Sequence, residues 1–287
     1  MTVTVNHPLR LFAAALAIAA PVAATPHAQA QESRDSMVLG GIPSFADLAD
    51  LADPAGIVAR VKITRTARLK PEQAPGVPAG WARVLVTAKT ENLLVGAQLG
   101  ESVRYLADIR LDERGKLPKL NKKSVLVFAN PVAGAPGELR LVSPRAQILA
   151  DPATEQRTRA LLAQLVAPGA APRLTGIREA IHVPGNLAGE GETQVFMATD
   201  GGAPVSITIV RRPGQPVVWG VSLTEIVDQA ARPPARDTLT WYRLACTLPP
   251  ELPREVNQFG SAEHRRIAAE DYRMVIGQLG ACTRNRI

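Results

Sequence analysis

The period of the hydrophobic and polar positions changes repeatedly along the chain. Residues 11–20 form an unbroken apolar run; Arg10 is the only charged side chain before it, and Pro21 closes it. Downstream, Ala28-Gln29-Ala30 has the small-x-small form of a processing site. A basic start, a short apolar core and a small-residue cleavage site, in that order, predict an export signal over residues 1–30 with the mature chain starting near Gln31. The apolar core is shorter than the roughly 20 residues needed to cross a bilayer. No later apolar stretch is longer in a way that predicts a membrane helix.

From residue 57 the period becomes two, the mark of strands with one buried face. Ala59, Val61 and Ile63 alternate with Arg60, Lys62 and Thr64. Ala82, Val84, Val86 and Ala88 alternate with Arg83, Leu85, Thr87 and Lys89, and Val103, Tyr105 and Ala107 mark a third strand. Residues 124–130 read as a short, wholly apolar strand and 138–142 as a fifth. Before them, Ser44 is placed to cap a short helix over 45–52, which Asp53-Pro54 stops. Five strands after a short helix predict a small, strongly twisted antiparallel sheet or barrel over residues 31–150.

Asp151-Pro152 is a helix start, with an acid at the cap and proline at the first helical position. Pro168, Gly169 and Pro172 then suggest a linker, so residues 151–172 are expected to be a helix and linker between two domains. In the second domain, 173–287, a strand over 174–183 precedes a meander of 193–199, 205–212 and 217–222. The turns of that meander are Asp200-Gly201-Gly202 and Pro213-Gly214. The pattern then turns helical: a short helix over 224–231, one capped by Asp237, and a last one capped by Ser261 that carries Tyr272, Val275, Ile276 and Leu279 on one face. The expected class is α+β.

Composition adds two constraints. There are two cysteines, Cys246 and Cys282, and in an oxidising compartment an isolated pair is most simply a disulfide, here one tying the last helix to its predecessor. The formal net charge is +7, and aromatics are only 4% of the chain. A basic balance concerns solubility and weak association with anionic surroundings, not fold.

Catalytic signatures are scarce. His182 and His264 lie on different expected elements without an H-E-x-x-H pattern, so no metal is expected. Gly220-Val221-Ser222-Leu223-Thr224 lacks the last glycine of a nucleophile elbow. The glycine-rich 185–191 segment lacks the lysine and hydroxyl of a phosphate loop and precedes a strand, not a helix. No cofactor is expected. Acid–base chemistry by carboxylates is the one enzymatic alternative, an envelope hydrolase with Asp108, Glu190, Glu192 and Asp271 as candidate acids; such pairs meet only in the fold.

The binding candidates are basic. Arg60, Lys62, Arg83, Lys89 and Arg104 fall on polar strand faces, and Lys119, Lys122 and Lys123 crowd the loop before the fourth strand, together with Arg114 and Lys116. Neighbouring strands would merge them into one positive surface. Only Trp81 and Tyr105 interleave these charges, too few to predict base stacking and hence specific nucleic-acid binding.

Ile57-Val58-Ala59-Arg60-Val61, Val84-Leu85-Val86 leading to Leu93-Leu94-Val95-Gly96, and Val125-Leu126-Val127-Phe128-Ala129 resemble the strands of OB-fold barrels, especially the netrin-like form of metalloproteinase inhibitors. The resemblance covers roughly 90 residues and implies an OB-like five-stranded antiparallel barrel or sheet. Those inhibitors act through a cysteine at the mature N-terminus, which has no counterpart near Gln31. His182-Val183-Pro184-Gly185, Gly189-Glu190-Gly191-Glu192-Thr193 and Trp241-Tyr242-Arg243-Leu244-Ala245-Cys246 are similar to uncharacterised exported proteins of sphingomonad-type alphaproteobacteria; this implies a shared architecture and no activity. The resulting expectation is a periplasmic or secreted, non-catalytic binding or scaffold module. Its partner would be an anionic envelope polymer or a protein, and it would have no membrane span after processing.

Overall fold

The computed structural model describes residues 41–224 and 232–286. The export signal and most of the helix expected over 224–231 lie outside the described residues. Helix α1 (Phe45–Ala52) leads into strands β1 (Ile57–Arg68), β2 (Trp81–Val95), β3 (Ser102–Arg110), β4 (Ser124–Pro131), β5 (Glu138–Leu141) and β6 (Gln147–Leu149). Helix α2 (Pro152–Leu165) follows, then β7 (Leu174–Pro184), β8 (Gly191–Thr199), β9 (Val205–Arg211) and β10 (Val218–Ser222), and finally α3 (Leu239–Ala245) and α4 (Ala262–Leu279).

Strand β1 pairs with β2 along one edge and with β4 along the other, so the order β1-β2-β3-β5-β4 returns to β1 and the barrel closes. The OB-like five-stranded barrel expected from the sequence is thus present. One seam, β3 with β5, runs parallel and makes the barrel mixed. Three register irregularities along β1 against β2 let these long strands coil around the core, as bulges do. Where β2 ends, Gly96 has φ +111°, and a Cβ there would lie 2.3 Å from the Gly56 carbonyl oxygen; only glycine allows β2 to cross the start of β1. Strand β6 adds to β4 outside the ring. It went unread in the sequence because three residues carry no period.

Val61, Ile63, Val84, Val86, Val103 and Val127 fill the barrel, as the alternation requires. The middle of β4, Val125 to Ala129, is an unbroken apolar run because it is buried on both faces and fully inaccessible. It joins Leu48 of α1 and Leu161 of α2 in the same core. The second sheet has order β10-β9-β8-β7, all antiparallel. Helix α4 packs against β7 and β8, and Ile207, Ile209, Trp219, Trp241, Tyr272 and Val275 form this second core.

Most caps follow the sequence: Ser44 caps α1 in a capping box with Asp47, Asp151 caps α2, and Ser261 caps α4. Helix α3 is an exception. Thr238, not Asp237, accepts from the Trp241 N–H, and Asp237 sits in the left-handed region at φ 58°. A cap needs extended backbone, which Thr238 has and Asp237 lacks. Cys246 and Cys282 form the disulfide, with Cα atoms 5.1 Å apart. No helix among the described residues is long and apolar enough to cross a membrane.

The segment read as a linker is exposed at 167–169, but its end packs into the fold. Ala171 is buried, and its carbonyl accepts from the Arg243 guanidinium. Helix α1 completes the junction through three aspartates spaced three apart, hence on one helix face. Asp47 accepts from the backbone N–H groups of Asn285 and Arg286. Asp50 accepts from the Tyr242 hydroxyl and the Arg284 guanidinium. Asp53 takes both Arg243 and Arg173. Of these donors, Tyr242 and Arg243 precede Cys246, and residues 284–286 follow Cys282, so the disulfide joins the two stretches that grip α1.

Candidate functional site

The outer face of β1, β2, β3 and β5 carries the chemistry most suited to a ligand. Strand register places Ala67 beside Leu85 and Leu85 beside Leu106, an apolar row running across three strands. Leu85 is 37% exposed and Leu106 45% exposed, and Val132, just past β4, lies open beside them at 38%. Together they form an exposed apolar cluster on the outside of the barrel, and it is clustering, not exposure of a single apolar residue, that distinguishes a patch from ordinary surface.

Arginines edge the row. One step along the strands on one side, Arg65, Thr87 and Arg104 form the next row, and Arg104 reaches Glu138 on β5. One step on the other side stands Arg83, whose Nε and Nη2 donate to both carboxylate oxygens of Asp108 at 2.8 and 3.0 Å. That fork explains how Asp108 can be buried on an outward-facing position: the guanidinium covers it. The hydrogen-bonded carboxylate in turn raises the Arg83 pKa above its ordinary value. Arg83, Leu85, Arg104, Leu106 and Val132, with Arg140 on β5, line a shallow cleft of ≈ 510 Å³.

The single positive surface expected from the sequence is divided and largely paired. Arg83 and Arg104 enter the cleft. Arg60 instead bonds Glu91 and Glu155, the latter on α2, and is raised in pKa by those contacts. Lys89 pairs with Glu101 in solvent and lies opposite Lys62 in the β1–β2 register. Lys122 and Lys123 run beside β1, exchanging backbone hydrogen bonds with Ile63, so they gather with Lys62 away from the cleft. Lys119 is exposed on the same loop. The residues that sequence reading missed are Leu85, Leu106, Val132 and Arg140. A signal existed for two of them: Leu85 and Leu106 stand at polar positions of their strands' alternation.

The four candidate acids fall in three places. Asp108 lies under Arg83 in the barrel. Glu190 closes the β7–β8 hairpin, its Oε2 accepting from the N–H groups of Asn186 and Leu187, and Glu192 accepts from Gln194. These two line one cleft of ≈ 550 Å³ on the second sheet, each accepting through one carboxylate oxygen. Asp271 is wholly buried on the other face of that sheet, where Arg211 Nε donates to Oδ1 at 2.7 Å and the Thr193 hydroxyl donates to Oδ2.

Both histidines join this last cluster. The Thr193 hydroxyl gives its only proton to Asp271, so it can only accept from His182, 2.8 Å away; this fixes the proton on His182 Nδ1. A Cβ on Gly191 would fall 2.8 Å from His182 Nε2, so β8 backbone covers the other ring nitrogen. Burial lowers the His182 pKa; Asp271 opposes this, and His264, its ring tilted at 60° with centroids 5.8 Å apart, and Arg211 add to it. The cluster therefore ties α4 to β7, β8 and β9 around a neutral imidazole. Its Nδ1 meets the Thr193 hydroxyl and its Nε2 lies beside the β8 backbone at Gly191.

No protein-family model matches the chain, and no curated protein matches it.

Proposed function

We propose that this chain is a non-catalytic binding module exported to the periplasm or beyond, and that its ligand site is the outer face of β2, β3 and β5. The observation that carries the reading is the exposed Leu85–Leu106 row edged by Arg83, Arg104 and Arg140. Barrels with this strand order bind ligands on the face of their second and third strands, a general tendency of the fold. Of the acids named for the hydrolase alternative, Asp108 and Asp271 are taken up by Arg83 and Arg211, and only Glu190 and Glu192 share a cleft, each accepting hydrogen bonds through one oxygen. Compartment is supported by the Cys246–Cys282 disulfide, which persists in oxidising surroundings. The arginine edge selects ligands bearing negative charge, either an anionic envelope component or an acidic protein.

Titration of the full mature chain with a panel of anionic probes tests this. Between about 0.01 M and about 0.15 M salt the screening length falls from ~30 Å to ~8 Å. Binding should weaken over that range and fall further in Arg104→Ala and Arg140→Ala, while Lys119→Ala leaves it unchanged. Equal loss in all three variants, or no binding at the lowest salt, defeats the assignment.

A further inference from the structure

The chemistry of the cleft narrows its occupant. Resting on the reading above, we infer that the ligand is an extended segment of a protein partner with the pattern acid-x-aliphatic-x-acid, seated with its aliphatic side chain on Leu85 and Leu106 and its carboxylates on the flanking arginines.

Three observations carry this. The first is spacing. Arg104 stands two residues from Leu106 along β3, and Arg83 two residues from Leu85 along β2 in the opposite direction across the row. Two residues of strand span about 7 Å, which is also the repeat of same-side residues in an extended peptide. An aliphatic residue centred on the leucines therefore puts acids at its second neighbours within reach of both flanks.

The second is the state of the guanidinium groups. Glu138 holds Arg104 by Nη2 alone, and Asp108 holds Arg83 by Nε and Nη2. Arg104 thus keeps Nε and Nη1 for a ligand, and Arg83 keeps Nη1. Arg140 makes no ion pair among the described residues. The internal carboxylates fix two of the arginines in place before any ligand arrives, which lowers the ordering cost of binding. Planar forks of this kind suit carboxylates.

The third is what the face lacks. Tyr105 points into the barrel, and the Arg145 guanidinium lies over the Trp81 ring at 5.1 Å, so none of the residues lining the cleft offers an open aromatic platform for a base. Asp108 and Glu138 also offset two of the three arginines. A densely charged polymer, whose binding depends on neutralising many charges at once, gains little from such a site. Sparse acids between aliphatic residues gain from both the leucines and the forks.

Fluorescence anisotropy with the full mature chain tests the pattern. The probes are a labelled peptide with two acid-x-Leu-x-acid repeats, the same peptide with serine for leucine, polyglutamate, oligo-dT and polyphosphate. The leucine peptide should bind most tightly. Serine in the peptide, or Leu106→Ser in the protein, should each weaken it by about tenfold, the scale of one interface contact. Leu106 is already exposed, so the variant should fold, and Arg140→Ala gives a second readout independent of the apolar row. If polyglutamate, oligo-dT or polyphosphate binds as well as the leucine peptide and Leu106→Ser has no effect, the peptide pattern is wrong while anion binding on this face survives. If no probe binds at low salt, both are wrong.

Discussion

Asp53 is where the two cores are most directly joined, and replacing it by asparagine keeps its shape while removing its charge. Its carboxylate receives Arg243 Nη1 and Nη2 at 2.8 and 2.7 Å and Arg173 Nε at 2.6 Å. The Arg243 side chain is only 9% exposed, and its remaining hydrogen bond is to the Ala171 carbonyl. Asp53→Asn leaves that guanidinium buried without a counter-charge, a situation that costs about 3–5 kcal/mol. Asp53 keeps some solvent contact and Arg173 is half-exposed, so the lower end, about 3 kcal/mol, is expected. For a chain of this size about 3 kcal/mol corresponds to a fall of roughly 6–12 °C in Tm. Burial acts to raise the Asp53 pKa, but hydrogen bonds and attraction from Arg243 and Arg173 outweigh it, and the net shift is downward from 3.8. A depressed carboxylate stabilises above its unfolded pKa, and that stability is lost as pH falls through the folded value. The Tm difference between parent and variant should therefore be full near pH 7 and shrink in strong acid. Calorimetry over that range, with the exposed Glu101→Gln as a control expected to leave Tm unchanged, decides it. A loss under about 1 kcal/mol would show that the junction does not depend on this pair.

Other expectations follow from the same structure. His182 is held below its ordinary 6.5, so the unfolded chain binds its proton more readily and stability should fall as pH drops below about 6.5; His182→Gln should flatten that slope in pH-dependent denaturant melts. Replacing both Cys246 and Cys282 by serine opens a loop with a sequence separation of 36 residues and should cost about 4 kcal/mol by the chain-entropy estimate, read as a shift in urea midpoint. Gly96→Ala, forced against the Gly56 carbonyl at positive φ, should destabilise by more than about 1 kcal/mol in the same assay, and a neutral result would mean that β2 can shift there.

Much of the barrel was legible because a half-buried strand writes its burial into alternate residues. Ala59, Val61 and Ile63, or Val84, Val86 and Ala88, point inward as their spacing required. The parallel β3–β5 seam was not legible, since pairing direction depends on how a later strand returns to the ring. The α1 junction hid in plain residues. Of Asp47, Asp50 and Asp53, the sequence pattern assigned a role to Asp53 alone, as a helix stop, and their partners lie up to 239 positions away. Their three-residue spacing on a helix whose other positions are mostly apolar was the available signal.

The site was half legible for a related reason. Outward arginines are visible in a strand pattern, but the acids that neutralise them come from other elements. Glu155 is 95 positions from Arg60, and Asp108 is 25 from Arg83. A sequence shows which charges face solvent and not which are already paired. The informative anomalies were Leu85 and Leu106, apolar residues at positions where the alternation calls for polar ones.

Backbone hydrogen exchange of the full mature chain, with and without a saturating acid-x-Leu-x-acid peptide, tests the location of the ligand site most directly. Added protection should concentrate in β2, β3 and β5 and leave the cleft at the β7–β8 hairpin unchanged. Protection centred on that hairpin, or spread evenly over the molecule, would contradict the assignment of the barrel face.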